Sequence, residues 1–335
     1  MDRLLKNRLI ALCKIGLAAG IVIFIVYKKV DLHELAGRLR DVNVGSILVC
    51  WIIYGLLWFV SAWRWRILVS VQGIVVHYFN ALRYCFIGLF FNNVMLGSIG
   101  GDVLKAYYLA RGSPGKTESA FISVIADRTV GSLTFFGLGF VGIALNIRNP
   151  RLHGASWLMF ALFCATCCAL ALLYRKNTLK KIPFAQKILD RFPIGENVRR
   201  LYQALYTYRT CPSALFKAML VSSALQLFTI AIFYWIAKEL GMAALAYRHL
   251  LLLVPLIGTV CALPITPSGW GTGEIAYCSL FGALGIPADQ ALALDLVIRA
   301  MMISWSILGG VLYAFPNWRV GVPDEAGIDR AEKQC

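Results

Sequence analysis

Acidic residues are scarce in this chain. Its 335 residues hold 17 Asp and Glu against 33 Lys and Arg, and only 15% are charged, where a typical soluble domain carries roughly 25%. So little charge on a chain that is 59% hydrophobic, with a mean hydropathy of +0.70, excludes a soluble enzyme. A soluble fold of this size cannot hide that much apolar surface. Disorder is excluded too, because disordered chains are poor in apolar residues. The four histidines (His33, His77, His153, His249) are scattered. The ten cysteines lie mostly inside apolar runs, where Cys acts as a small hydrophobe, and none has the flanking loop residues of a zinc site. Neither a metal nor a cofactor is expected. The first apolar run, Leu9 to Tyr27, lacks a small-residue cleavage pattern and reads as a retained anchor.

What the chain has is apolar length. Spanning helices need about 20 apolar residues, and runs of that kind cover 9–27, 44–63, 119–147, 155–174, 213–237, 248–264 and 291–315. Two more stretches, 80–97 and 272–285, are short and interrupted by glycine. The expected fold class is an all-α integral membrane protein with about seven spanning helices, two re-entrant or broken helical hairpins, and a possible internal repeat. One transmembrane domain is expected over 1–318, with a short polar tail over 319–335.

The net charge of +16 would suggest nucleic acid in a soluble domain. In a membrane chain it marks cytoplasmic loops and an anionic membrane surface instead, and no nucleic acid partner is expected. The segment 175–211 has nine basic residues and two acidic ones, a sum of +7, which places it in the cytoplasm. Val198, Leu201, Tyr202 and Leu205 recur at helical spacing there, as in an amphipathic helix on the inner membrane surface. Counting from it, Lys105 to Lys116, a turn at Arg64 and Arg66, and both termini fall inside, while Arg148 to His153 fall outside. The segment 80–104 starts and ends inside, as a re-entrant hairpin does. The loop 28–43 falls outside despite Lys28, Lys29, Arg38 and Arg40. The expected location is the bacterial inner (cytoplasmic) membrane.

A faint repeat relates the two halves. Gly100-Gly101-Asp102 follows one broken helix and Thr272-Gly273-Glu274 follows another. Each precedes a span bearing an acid and a base, Asp127 with Arg128 and Asp295 with Arg299. Paired broken helices are a sequence pointer to a transport site. Charges at membrane depth are costly, about 2.5–3.5 kcal/mol each on insertion scales, so these residues are either paired or used. Asp295 and Arg299, four apart, can satisfy each other on one helix face. Asp127 and Arg128 point in different directions and need partners elsewhere.

The run Pro264-Ile265-Thr266-Pro267-Ser268-Gly269-Trp270-Gly271-Thr272-Gly273-Glu274 is the most informative. Its prolines stop one helix, and its glycines let the backbone turn and approach a ligand. A new helix begins near Glu274. Its N-terminus suits an anion such as a lipid phosphate, Glu274 can instead serve as the acidic partner of that helix, and both can hold in different states. Asn92, Asn93, Ser98, Gly100, Gly101 and Asp102 form the matching break, with Lys105 one turn beyond Gly101. Thr266, Pro267, Ser268, Gly269, Gly271, Gly273 and Glu274 complete the expected substrate-binding set with Asp127, Arg128, Asp295 and Arg299. Trp51, Trp58, Trp63 and Trp65, with Arg64 and Arg66, read as an aromatic belt with basic interface anchors.

Gly100-Gly101-Asp102 with Lys105, Ser123-Val124 leading to Asp127-Arg128, and the Pro264 to Gly271 run with Glu274 together resemble the lysylphosphatidylglycerol synthase transmembrane family. This is the flippase-like domain of the multiple peptide resistance factor. The resemblance covers about residues 9 to 315. Two departures stand out: Leu96-Gly97-Ser98 lacks a proline before the glycines, and Lys105 stands where arginine is more usual. With the chain ending at Cys335, no soluble aminoacyl-transferase domain is expected. The resemblance therefore implies translocation or handling of an anionic or glycosylated lipid (a phospholipid, or a polyprenyl or glycolipid substrate) rather than lysine transfer. In that reading Arg128, Arg299 and Lys105 hold a phosphate, and Asp102, Asp127, Glu274 and Asp295 pair the bases or carry protons. Two alternatives stay open. Asp31, His33 and Glu34 are acids and a base suited to a polyprenyl-phosphate-dependent glycosyltransferase. The segment 175–211 is suited to docking a lipid-modifying enzyme, and a homo-oligomer is equally compatible with the sequence.

Overall fold

The computed structural model describes residue 37 and residues 43–94, 100–174, 207–263 and 265–314. The expected anchor 9–27, the loop 28–43 with Asp31, His33 and Glu34 up to residue 42 apart from residue 37, the basic segment from 175 to 206, and the tail 319–335 lie outside the described residues. Residues 95–99, which include Ser98, and Pro264 also lie outside them.

Among the described residues every long element is a helix. In chain order these are α1 (Val44–Val71), α2 (Tyr78–Val94), α3 (Gly100–Arg111), α4 (Thr117–Asn146), α5 (His153–Tyr174), α6 (Pro212–Glu239), α7 (Tyr247–Ala262), α8 (Thr272–Gly282) and α9 (Ala288–Ala314). Four of them, α1, α4, α6 and α9, are long and apolar enough to cross a membrane. At 1.5 Å per residue the 28-residue α1 is about 42 Å long, more than a hydrocarbon core of about 30 Å. It does not turn at Arg64, as the charge pattern suggested, but runs on to Val71.

Local chemistry sets the helix ends. The Asn43 side chain accepts from the Gly45 N–H at 2.8 Å and caps α1. His249 Nδ1 accepts from the Ala246 N–H at 3.1 Å at the start of α7. Pro212 opens α6 as the first helical residue, where its missing N–H costs nothing. At Leu263 the backbone is extended (φ −64°, ψ 132°) and α7 stops, as the residue before a proline favours.

A small apolar core joins α1, α4 and α6 through Leu68, Ile122, Val130 and Ala218, and two larger ones hold the described helices together. One is built on α6 to α9, with Ile230, Ile236, Leu250, Phe281 and Leu294 buried within it. The other joins α1, α2, α3 and the start of α4 through Trp65, Tyr84, Phe86, Leu109 and Val124. The halves interlock, because α2 packs on α9 and α7 packs on α4. Small residues let backbones approach at these crossings. A Cβ on Gly142 of α4 would stand 2.7 Å from the Leu252 nitrogen of α7. Large apolar side chains such as Trp157, Phe216, Leu220 and Phe228 remain exposed on the outside, as they do on a surface whose solvent is lipid.

Candidate functional site

The buried charges of the first half form a single network. Asp127 lies ten residues into α4, about 15 Å from its start, and is 6% exposed. One carboxylate oxygen meets Arg64 Nη2 at 2.9 Å and the other meets Lys105 Nζ at 3.2 Å. Three helices thus deliver one anion and two cations to one point: α4 gives Asp127, α1 gives Arg64 and α3 gives Lys105. Arg64 Nη1 also donates to Ser222 Oγ at 2.8 Å, and Ser222 Oγ stands 2.7 Å from Thr134 Oγ1. The Lys105 ammonium lies 4.0 Å over the Trp65 ring, a cation–π contact that partly replaces lost water.

Arg64 is therefore no interface anchor, and the tryptophans around it form no simple belt. Trp65 is fully buried and Arg64 is 8% exposed. Trp51 stacks on Trp305 of α9 at 4.6 Å, and its indole N–H donates to Ser304 Oγ at 2.7 Å. Of the four, Trp63 is the exposed one. Helical phase explains this. Within Trp63-Arg64-Trp65 successive residues are about 100° apart, so neighbours cannot share a lipid-facing side.

Arg128, next in sequence, points elsewhere and pairs with Asp102 of α3. Its Nε and Nη2 donate to the two Asp102 oxygens at 2.6 and 2.8 Å, a fork-to-fork pair. The Arg128 side chain is 56% exposed. Beneath it α2 and α3 touch, and a Cβ on Gly101 would overlap the Gly88 carbonyl oxygen. Gly101 donates its N–H to Asn92 Oδ1 at 2.9 Å, so the first break is held by its own asparagine. Gly100 is the first residue of α3.

The second break is closed by its own charges. Arg299 Nε reaches both Asp295 oxygens at 2.9 Å. Its Nη1 and Nη2 donate to the Ser268 and Gly269 carbonyls at 3.2 and 3.0 Å, and Nη2 stands 3.5 Å from Glu274 Oε2. The guanidinium also lies 4.6 Å over the Trp270 ring. Glu274 Oε2 accepts the Gly271 N–H at 2.6 Å. In this structure the Glu274 carboxylate occupies the α8 N-terminus as the helix's own acidic partner. The turn needs left-handed backbone at Ser268 (φ 48°), Gly269 (φ 70°) and Gly271 (φ 87°). Thr266 Oγ1 stands 3.1 Å from Thr272 Oγ1. A Cβ on Gly273 would overlap the Arg299 guanidinium. Pro267 starts the short 3₁₀ turn 267–269. The Ser268 hydroxyl lies 3.1 and 2.8 Å from the Asn92 and Asn93 carbonyls, so the two breaks touch.

The expected site residues thus separate into two groups. A cavity of about 400 Å³ is lined by Arg64, Asn92, Asp102, Lys105, Asp127 and Arg128, with Trp58, Leu89, Phe135 and Phe136 as apolar wall and Gln226 and Thr259 as further polar groups. Thr266, Ser268, Gly269, Gly271, Gly273, Glu274, Asp295 and Arg299 are absent from that lining. Their contacts knit the second break to itself and to the end of α2. Arg64, like Trp58, is a cavity residue that the sequence pattern assigned to an aromatic belt with interface anchors. The signal that finds Arg64 is the unpaired acid at Asp127, which requires a base on another span.

Comparison with known proteins agrees with this architecture. The family model for the lysylphosphatidylglycerol synthase TM region matches residues 11–309. UPF0104 membrane protein MJ1595 of Methanocaldococcus jannaschii is 23% identical over 288 residues, covering 81% of this chain and 84% of its own. UPF0104 membrane protein PH1989 of Pyrococcus horikoshii is 26% identical over 295 residues, covering 81% and 87%. With a match over that length, and with four candidate spans among the described residues, this chain is a membrane protein that belongs to the lysylphosphatidylglycerol synthase TM region family.

Proposed function

We propose that this protein moves or handles an anionic or glycosylated phospholipid between the leaflets of the cytoplasmic membrane, as a translocase-like protein rather than an enzyme. The observation that carries the reading is the cavity. It joins an aromatic and aliphatic wall (Trp58, Leu89, Phe135, Phe136) to a floor of buried, paired charges (Arg64, Lys105, Asp127). An amphiphile needs that combination of surfaces, and charges at such depth are retained at a cost that a use offsets. In this reading residues 1–318 act as one transmembrane domain with both termini and the basic segment 175–211 in the cytoplasm. That segment then lies against anionic lipid or a lipid-modifying enzyme, and a homo-oligomer is compatible with the same arrangement.

Matched helix lengths support a repeat as the origin of the site. The helices α1 to α4 have 28, 17, 12 and 30 residues, and α6 to α9 have 28, 16, 11 and 27. Two broken units facing each other are a recurrent way to build a transport site in a membrane.

The test is lipid translocation in proteoliposomes carrying fluorescent phospholipid analogues, read by reduction of outer-leaflet fluorophore. The intact protein speeds translocation. Arg128→Ala slows it about tenfold, the value of one lost charge-assisted hydrogen-bond pair. Equal rates with and without protein overturn the reading.

A further inference from the structure

The two halves repeat one acid–base pair and use it differently. Asp102 is the third residue of α3 and Glu274 the third of α8. Arg128 is the twelfth residue of α4 and Arg299 the twelfth of α9. In the second half the pair is sealed, with side chains 6% and 2% exposed, and the Glu274 carboxylate is taken up by the Gly271 N–H. In the first half both residues line the cavity, and the arginine is 56% exposed. The Asp102 carboxylate fills the two-pronged Arg128 guanidinium as two oxygens of a phosphate would.

The charge of the cavity can be counted. Arg64, Lys105 and Arg128 contribute three positive charges, Asp102 and Asp127 two negative ones, and the sum is +1. In a partly desolvated site an uncompensated charge is expensive, so a lipid head carrying one negative charge neutralises the cavity. We propose that Asp102 is a specificity-determining residue: it holds the place of the ligand's phosphate on Arg128 and sets the cavity for a monoanionic phosphodiester head. Arg128 receives the phosphodiester oxygens when the head enters. Arg64 and Lys105, bridged by the single Asp127 carboxylate and carrying the excess positive charge, stay as the floor beneath it. This inference rests on the lipid-handling reading but concerns binding, which is measurable whether or not the lipid crosses the bilayer.

The experiment uses the purified full chain in detergent micelles with fluorescent phosphatidylglycerol, displaced by unlabelled phosphatidylglycerol (one negative charge), phosphatidylcholine (net zero) or phosphatidic acid (more negative). Phosphatidylglycerol is expected to displace about tenfold better than phosphatidylcholine, the value of one charge-assisted contact. Asp102→Asn raises the cavity to +2 and moves the preference to phosphatidic acid. Arg128→Gln lowers it to zero and abolishes the preference over phosphatidylcholine. Glu118→Gln, outside the cavity lining, adds the same charge to the chain and leaves the preference unchanged. Equal displacement by all three lipids overturns the inference, as does a shift in Glu118→Gln matching that in Asp102→Asn. The charge preference without translocation in proteoliposomes upholds the inference and overturns the translocase reading. Translocation with no charge preference does the reverse.

Discussion

Arg64 and Asp127 meet at 2.9 Å, Nη2 to Oδ1, with both side chains about nine-tenths buried. They come from α1 and α4, and the end of α1 meets the start of α4, where Lys116 Nζ donates to the Gly73 carbonyl. The pair thus sits about 10 Å from the end of one long helix and about 15 Å from the start of the other. An apolar chain keeps charge at that depth only as a network, and this one has two cations to one anion.

That excess makes the two single deletions unequal. Asp127→Asn leaves Arg64 and Lys105 without their shared anion and is expected to cost about 3–5 kcal/mol, as for an uncompensated buried charge. Arg64→Met still leaves Lys105 on Asp127 and is expected to cost about 1–3 kcal/mol. Thermal unfolding of the detergent-solubilised variants, followed by loss of the monodisperse peak, ranks them. An Arg64→Met protein less stable than Asp127→Asn would contradict the network.

The α2–α3 contact allows no side chain at position 101. Gly101→Ala drives a methyl into the Gly88 carbonyl and is expected to destabilise by about 1–3 kcal/mol, as overpacking does. A Cβ at Gly137 in α4 meets no atom within 4 Å, so Gly137→Ala is expected to be neutral or to stabilise by about 1 kcal/mol through helix propensity. The same melting series reads both, and equal effects would rule out the close approach.

At the second break, Arg299→Lys is not conservative. An ammonium cannot hold the Asp295 carboxylate and the Ser268 and Gly269 carbonyls together. A loss of about 2–5 kcal/mol is expected, with faster protease cleavage within 263–271. Glu274→Gln keeps an oxygen for the Gly271 N–H and is expected to cost only about 1 kcal/mol. Protection of 263–271 that is unaltered in Arg299→Lys would show that the arginine does not close this turn.

Ser268 separates strain from bonding. Its φ of 48° costs a residue with a Cβ about 1–2 kcal/mol, and its hydroxyl bonds to the end of α2 return about 0.5–1.5 kcal/mol. Ser268→Ala loses the bonds and keeps the strain, so its melting temperature falls. Ser268→Gly loses both and melts close to the native protein. The opposite order would contradict the bridge between the breaks.

Much of this architecture is legible in the sequence because it depends on local spacing. Apolar runs at 44–63, 119–147, 213–237 and 291–315 give the four long helices to within a few residues, apart from α1, whose helix continues through Arg64 and Arg66. Those charges look like an end to the apolar run, yet Arg64 finds its counter-charge in Asp127. The glycines and prolines at 263–273 give the second break, since backbone stiffness is written in each residue. The i, i+4 spacing gives Asp295 with Arg299.

What sequence alone determined is which residues carry cost: an acid and a base inside each of two apolar spans, beside a glycine break. That much follows from composition and helical periodicity. Which of those residues share a space was decided only by tertiary packing, because each partner choice crosses helices. Asp127 takes Arg64 and Lys105, Arg128 takes Asp102, and Arg299 closes on its own turn. The cavity therefore forms on the first half's charges, while the second half's matching charges serve to hold the backbone.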